Sequence, residues 1–368
     1  MPAKSQATVN PADTVGVKDF STKVVCPEGK TICVDRTMSW LGKGASAPEA
    51  HSSVGVTAPA KTWYLAEGSS SWAFETWLLL QNPNSNSARV TLTYMIEGAS
   101  PVTVTKTVPG NSRQSFNMAD DIGERNASIK VASNLPVIAE RAMYRYNRRE
   151  GQDSIGTTTP AFNYYLAEGS TAWDFTTYLL VQNPNNQPSN VAITLMTDKG
   201  PQTLPAFSLP ANSRKTIKVN DLLPGKDFST RVHGSRPIIA ERSMYWNSPA
   251  GEACHDSIGL SAPHTVFYLA DGQSSEGRET YTLVQNPNPG AVTVEVSYLT
   301  PDGAENRSFT DTIPGNSRRS YNMANVIPSG RASVVVNCKT SGKKIIVERA
   351  MYWNSRSAGT DTIGGYSD

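Results

Sequence analysis

An acidic residue followed directly by arginine occurs four times in this chain, each time with methionine two residues after the arginine. The four pairs are Asp35-Arg36, Glu140-Arg141, Glu241-Arg242 and Glu348-Arg349. A carboxylate beside a guanidinium could form a repeated binding site, or it could belong to structural ion pairs, which perturb charges in the same way. A motif that carries catalysis usually occurs once, so the fourfold repetition favours a structural role.

The acid-arginine segments are predicted to be buried strands, because both of their faces are largely apolar. Neighbouring residues of a strand point to opposite faces, so the two charges of one motif cannot pair with each other. An unpaired buried charge is costly, so each needs another partner. We predict that the arginine of a recurring Asn-Ser-Arg motif pairs with the strand glutamate of the same repeat: Arg113 with Glu140, Arg214 with Glu241, and Arg318 with Glu348. The acids of the Tyr-Leu-Ala-Glu/Asp-Gly motif are the candidate partners of the strand arginines, namely Glu67, Glu168 and Asp271 for Arg141, Arg242 and Arg349.

Two aromatic segments are the candidate binding residues. One contains Trp72 and Phe74, and the other contains Trp173 and Phe175, each flanked by small polar residues. Aromatic rings on a sandwich loop can stack on sugar faces or anchor a protein contact. The alternative is that they fill the junction with the next repeat, because arrays of repeats need apolar contacts between neighbours.

Catalytic chemistry finds little support in the sequence. The four histidines occur in no zinc-binding spacing, and His255-Asp256-Ser257 are consecutive, so in a strand their side chains alternate between faces. No nucleophile elbow, phosphate-binding loop or dinucleotide fingerprint is present. The sequence therefore predicts no catalytic residue, no metal and no cofactor.

Three long internal repeats must position all of these residues. Each begins near a Tyr-Leu-Ala motif, continues through Gln-Asn-Pro-Asn and Asn-Ser-Arg, and ends with the acid-arginine strand and a short Asp-Ser/Thr-Ile-Gly segment. Gln81, Gln182 and Gln285 correspond to one another, so the repeat is about 100 residues long, which is the size of one β-sandwich domain. We define unit 1 as residues 61–161, unit 2 as 162–264 and unit 3 as 265–368.

Residues 17–60 match only the second half of a unit, and residues 1–60 together are predicted to be this incomplete repeat with a linker. Half a sandwich exposes its inner face. We call 17–60 the half-unit and expect that it receives strands from another molecule, giving oligomers, or stays loosely ordered. Periodicity does not fix the repeat boundary, because a unit could also begin near the half-unit's Asp-Phe-Ser-Thr and end near Asn-Ser-Arg.

Composition excludes several classes of protein. The chain has 368 residues and a net charge of +2, with no basic cluster that would suggest nucleic-acid binding. It has no apolar run long enough for a transmembrane helix and no secretory signal at its N-terminus. Cys26 and Cys33 flank a predicted hairpin turn and could form a disulfide, whereas Cys254 and Cys338 read as buried thiols.

The combined motifs resemble a family of secreted or surface-anchored bacterial proteins with tandem units of the form Trp-Tyr-Leu-Ala-Glu-Gly-Ser-Thr … Gln-Asn-Pro-Asn … Asn-Ser-Arg … Glu-Arg-Ala-Met-Tyr-Trp … Asp-Ser-Ile-Gly. The resemblance covers residues 17–368 and implies an extracellular array of β-sandwiches without an established activity. Unit 3 departs from the pattern, because its Ser-Ser-Glu-Gly-Arg-Glu-Thr-Tyr segment lacks the aromatic residues of the other units.

We therefore predict an all-β chain of tandem immunoglobulin-like β-sandwiches in an elongated array. The predicted function is a non-catalytic structural or adhesive role outside a bacterial cell, as a stalk, surface layer or filament. The predicted partners are further copies of the chain, other surface proteins or a glycan. The alternative is a carbohydrate-binding appendage of a secreted enzyme.

Overall fold

The computed structural model describes residues 1–45, 47–248 and 251–368, and almost all of its regular structure is β-strand. The half-unit region contains a one-turn helix and a single strand pair: α1 (Ala12–Val15), β1 (Asp35–Trp40) and β2 (Glu49–Val54). Unit 1 contains β3 (Ala60–Leu65), β4 (Phe74–Asn82), β5 (Ala88–Ile96), β6 (Val102–Val108), β7 (Ser112–Asn117), α2 (Met118–Ile122), β8 (Ala127–Arg145) and β9 (Glu150–Ile155).

Units 2 and 3 repeat this order of strands. Unit 2 contains β10 (Ala161–Leu166), β11 (Thr176–Asn183), β12 (Ser189–Thr197), β13 (Gly200–Thr203), β14 (Phe207–Leu209), β15 (Ser213–Lys218), β16 (Phe228–Ser248) and β17 (Gly251–Ile258), with a 3₁₀ turn at Val219–Asp221. Unit 3 contains β18 (Val266–Leu269), β19 (Arg278–Asn286), β20 (Val292–Leu299), β21 (Arg307–Ile313), β22 (Ser317–Asn322), β23 (Ser333–Cys338), β24 (Ile346–Trp353), β25 (Ala358–Ile363) and β26 (Gly365–Ser367), with a 3₁₀ turn at Met323–Asn325.

Each unit is built from two antiparallel sheets, and in units 1 and 2 one long strand belongs to both sheets. In unit 1 the first part of β8 pairs with β3 and β5, and its second part pairs with β4 and β9. β16 does the same in unit 2, whereas in unit 3 two separate strands, β23 and β24, take the two roles. The acid-arginine motif lies in the second part, flanked by a strand on each side, as its two apolar faces predicted.

The Gln-Asn-Pro-Asn motif ends a strand and fastens the turn that follows. Proline has no amide hydrogen for the sheet ladder, so the strand stops there. The Asn82 side chain donates to the carbonyl oxygens of Asn86, Val108 and Pro109 at 2.9–3.0 Å. Asn183 and Asn286 make the corresponding bonds in the other units.

The units close into a ring rather than an elongated array. β2, β9, β17 and β25 are the strands that directly follow the acid-arginine strand in the half-unit and in the three units, and each lies against the next. β25 also lies against β2, so the last unit meets the first strand pair of the chain. The elongated arrangement expected from the repeats is therefore wrong, because the three units and the half-unit contact one another in a closed cycle.

The half-unit lies within this ring. β1 and β2 contact units 1 and 3 of their own chain, so this part of the half-unit is ordered by intramolecular contacts. Residues 17–34 form no strand, and Cys26 and Cys33 are both free thiols. The disulfide that Cys26 and Cys33 could have formed is therefore absent. Cys33 Sγ instead donates to the Tyr268 carbonyl at 3.4 Å, and burial raises the pKa of this thiol to about 11.

Candidate functional site

The four strand arginines each bind the strand acid of the next unit around the ring. The distances between guanidinium nitrogen and carboxylate oxygen are 3.1 Å for Arg36–Glu140, 2.5 Å for Arg141–Glu241, 2.6 Å for Arg242–Glu348 and 3.0 Å for Arg349–Asp35. The last pair joins unit 3 to the half-unit and completes the cycle. Arg141, Arg242 and Arg349 have fully buried side chains, whereas the Arg36 side chain is 41% exposed.

A second acid from the next unit completes the coordination of three arginines. Arg36 binds Asp153 at 2.8 Å, Arg242 binds Asp361 at 3.0 Å, and Arg141 binds Asp256. These aspartates come from the recurring Asp-Ser/Thr-Ile-Gly segment. Ser52 occupies this position in the half-unit, and Arg349 donates to its hydroxyl at 2.9 Å. The four interfaces therefore have the same arrangement, except that the uncharged Ser52 replaces the aspartate at the fourth.

The ion pairs predicted inside each unit are not formed in the structure. Arg113 lies 3.7 Å from Asp19 instead of pairing with Glu140. Arg214 donates to the Gly68 carbonyl at 3.0 Å instead of to Glu241, and Arg318 donates to the Phe228 carbonyl at 3.1 Å instead of to Glu348. The Asn-Ser-Arg arginines of units 2 and 3 thus also contact the backbone of a neighbouring unit, and Arg214 lies 3.7 Å from the Glu97 carboxylate of unit 1 as well.

The acids of the Tyr-Leu-Ala-Glu/Asp-Gly motif lie near the strand arginines, as expected, at longer distances. Glu67 is 3.5 Å from Arg141 and Glu168 is 3.7 Å from Arg242. At the third interface Arg349 donates to the backbone carbonyl of Asp271 at 2.9 Å. The same loop also donates to the strand acid of the next unit. The amides of Ala66 and Glu67 bind Glu241 at 3.0 Å, and the amide of Ala167 binds Glu348 at 2.7 Å.

Two further sets of contacts join each unit to the next one around the ring. The indole N–H groups of Trp40, Trp246 and Trp353 donate to the backbone carbonyl oxygens of Arg148, Arg356 and Pro48, at 2.7, 2.7 and 3.3 Å respectively. A His or Gln of one unit also contacts a tyrosine hydroxyl of the next, in the pairs His51–Tyr144, Gln152–Tyr245 and His255–Tyr352 at 3.1–3.2 Å. Sequence reasoning missed these two sets of contacts. It also missed the aspartates Asp153, Asp256 and Asp361, although they recur as regularly as the arginines.

The acid clusters of the ring are occupied by arginine. Glu67, Glu241 and Asp256 lie close enough together to hold a metal ion, and so do Glu168, His255 and Asp361. Arg141 contacts all three acids of the first cluster, and Arg242 contacts both acids of the second. The cationic guanidinium therefore supplies the compensating charge that a metal would supply, and the arrangement acts as a cross-link between units.

The buried His255 is expected to lower the stability of the fold at acidic pH. His255 is enclosed by Glu168, Arg242 and Tyr352, and desolvation, partly opposed by Glu168, lowers its pKa to about 4. Because the folded-state pKa lies below the unfolded value near 6.5, this group stabilises the fold above pH 6.5, and that contribution is lost as the pH falls toward 4.

We expect the substitution His255→Gln to reduce this loss of stability, because Gln152 makes the equivalent bond to tyrosine in unit 1. We compare the free energy of unfolding of the variant with that of the natural chain at each pH. The variant's value minus the natural chain's value should be roughly 2–3 kcal/mol larger at pH 4.5 than at pH 7.5. Urea unfolding at both pH values measures this. An unchanged difference between the two proteins would show that His255 does not resist protonation.

The aromatic segments divide into a buried and an exposed part. Phe175 is buried against Trp246 and Tyr352, and Phe74 lies 6.1 Å from Tyr245 of the next unit between ring centroids. The phenylalanines therefore fill junctions between units. Trp72 and Trp173 are 70% and 75% exposed.

A local backbone feature separates the tryptophans from the phenylalanines. Trp72 and Ala73 both have positive φ angles, of 55° and 63°, and Trp173 and Asp174 have 56° and 63°. Consecutive non-glycine residues rarely adopt this left-handed conformation, and such strain is often kept where function needs it. The turn directs each indole into solvent, so Trp72 and Trp173 are not used in the junctions that the phenylalanines fill.

Two cavities lie beside strands β2, β9, β17 and β25. One has a volume of about 10 Å³ and is lined by the segments around Ser52, Asp153, Asp256 and Asp361. It has room for about one water molecule. The other, of about 370 Å³, is lined in part by Glu49, Glu150 and Glu252. Glu49 is buried, and desolvation, reinforced by Glu150, raises its pKa to about 10, so its carboxyl is neutral at pH 7.

Among the described residues, no helix is both long and apolar enough to cross a membrane. No protein-family model matches the chain, and no curated protein matches it either.

Solved structures give only low similarity. The Thermotoga maritima protein 1070 is 18% identical, with 27% of this chain and 95% of that chain covered at a TM-score of 0.26. The Anabaena sensory rhodopsin transducer is 22% identical, with 22% and 92% covered at 0.20. A Streptomyces avermitilis α-L-rhamnosidase in complex with L-rhamnose is 9% identical, with 81% and 45% covered at 0.16. These values carry no conclusion about function.

Proposed function

We propose that the chain is a non-catalytic structural or adhesive protein of the bacterial cell exterior, built from immunoglobulin-like β-sandwiches. Its partners would be further copies of the chain, other surface proteins or a glycan. The observation that carries this proposal is the buried contact of Arg242 with Glu348 and Asp361 of the next unit. The motif that looked most like a repeated site is thereby engaged in holding units together.

The motif resemblance described above supports the location outside the cell. Antibodies against the chain, applied to intact cells that express it, test this location. Labelling of unpermeabilised cells is the expected result. Labelling that requires lysis would contradict an exterior role and leave the ring as an intracellular assembly.

The exposed tryptophans favour a second function, a carbohydrate-binding appendage. Indole rings stack on the apolar faces of sugars, and Trp72 and Trp173 are held in solvent by equivalent turns. The equivalent turn of unit 3 has Glu276, also at a positive φ of 56°, so this unit would not contribute to sugar binding.

A glycan array distinguishes the two functions. If the appendage role holds, the chain binds at least one glycan, and the substitutions Trp72→Ala and Trp173→Ala together weaken that binding more than tenfold. Phe162→Ala is the matched control, because Phe162 is 52% exposed and lies outside both turns. Absence of glycan binding, or binding that the tryptophan substitutions leave unchanged, would remove the second function.

A further inference from the structure

The half-unit leaves one strand of the ring without its usual neighbour. In the three full units the acid-arginine strand is flanked by two strands: β8 by β4 and β9, β16 by β11 and β17, and β24 by β19 and β25. Within the described residues, β1 pairs with β2 alone. Its other edge therefore presents backbone donors and acceptors that the full units satisfy with a Gln-Asn-Pro-Asn strand.

Apolar side chains of the half-unit are exposed where their counterparts in the full units are buried. Met38 is 41% exposed, whereas the corresponding Met143, Met244 and Met351 are at most 2% exposed. Residues 19–26 align with the start of β16, and here Phe20 is 42% and Val24 is 52% exposed, whereas Phe228 and Val232 are fully buried. The sequence keeps core residues in the half-unit although half of the core is missing.

The face of unit 1 beside the gap also lacks contacts that the other interfaces make. Gln182 and Gln285 are fully buried and donate to a carbonyl of the preceding unit, at Ile129 and Thr230. Their counterpart Gln81 is only partly buried. The same contrast holds for the Asn-Ser-Arg arginines. Arg214 reaches the Gly68 carbonyl of the preceding unit, whereas Arg113 donates to Ser115 of its own unit and lies 3.7 Å from the exposed Asp19 of the half-unit.

We propose that this gap binds a polypeptide segment with the sequence of a first half-unit, meaning a Tyr-Leu-Ala-Glu-Gly to Asn-Ser-Arg segment of this repeat class. The three full units define the bound register. In unit 2, Leu180 lies opposite Glu241 and Thr177 opposite Met244, so the same strand would place its leucine opposite Asp35 and its threonine opposite Met38. The edge pairing supplies affinity and the flanking apolar residues supply specificity. The inference does not depend on the proposed adhesive or sugar-binding role.

The test uses the full chain and two probes. The first is a peptide with the sequence of residues 176–185, Thr-Thr-Tyr-Leu-Leu-Val-Gln-Asn-Pro-Asn, and the second is a polypeptide of residues 161–222. The expected result is saturable binding in fluorescence anisotropy, with slower amide exchange at residues 35–40. A probe carrying Leu180→Asp should bind at least tenfold more weakly.

Variants of the chain locate the binding face. Met38→Glu should weaken binding at least tenfold without unfolding the chain, because Met38 is already partly exposed. Leu222→Glu is the matched control in unit 2, where Leu222 is 47% exposed, and should leave binding unchanged. Lack of binding by both probes overturns the proposal. It is also overturned if the chain alone dimerises and protects residues 35–40 only in the dimer, because the occupant would then be a second copy.

Discussion

Replacing Arg242 with methionine is expected to lower the free energy of unfolding by roughly 3–5 kcal/mol, because it leaves the buried carboxylates of Glu348 and Asp361 without their cation. The guanidinium is fully buried, so water cannot replace it. Urea unfolding at pH 7.5 measures the change. Arg36→Met is the matched control at an equivalent position, and its effect should be clearly smaller because the Arg36 side chain is 41% exposed.

A double-mutant cycle distinguishes the pairing in the structure from the pairing that sequence reasoning predicted. Arg242→Met and Glu348→Gln should show a coupling energy of at least about 1 kcal/mol, since they remove two halves of one contact. Arg318→Met and Glu348→Gln should be nearly additive, because Arg318 donates to backbone carbonyls instead. Coupling of the second pair without coupling of the first would contradict the ring of ion pairs.

Deleting residues 1–56 is expected to destabilise the three remaining units rather than leave them unaffected. The deletion removes Asp35 and Ser52 from Arg349, and it removes Arg36 from Glu140 and Asp153. The loss of compensation for buried Arg349 alone is expected to cost roughly 3–5 kcal/mol. Urea unfolding measures the loss, and hydrogen exchange should accelerate first in β9 and β25, the strands that contact β2.

A shorter deletion controls for the removal of chain as such. Residues 1–16 precede the half-unit, and the removal of residues 1–16 should change the free energy of unfolding little, because all but two of them are exposed. If the deletion of residues 1–56 has as small an effect, the half-unit does not close the ring.

The all-β fold and the strand positions could be predicted from the sequence because they depend on local patterns. Alternating residues placed strands such as β5, and the Asn-Pro-Asn turns marked their ends. The two apolar faces of the acid-arginine segments correctly indicated buried strands in the three full units, whereas β1 of the half-unit is partly exposed. Burial also correctly implied that every arginine and acid needs a partner.

The identity of those partners could not be predicted, because the repeats supply equivalent candidates in every unit. Glu140 and Glu241 have the same surroundings in sequence, so nothing local indicates that Arg141 binds the glutamate about 100 residues away. Closure depends on the angle between successive units, which is a property of packing rather than of strand pattern. The difference between Trp72 and Phe74 was hidden for a related reason, since it depends on a left-handed turn at non-glycine residues.

The closed ring is tested most directly by small-angle X-ray scattering of the full chain at several concentrations. A compact chain of this length has a radius of gyration of about 21 Å, and the extended N-terminal residues should raise it only slightly. The ring predicts a value of roughly 21–24 Å that does not change with concentration. A value above roughly 30 Å, as expected for units arranged in a row, would contradict the closure of unit 3 onto the half-unit.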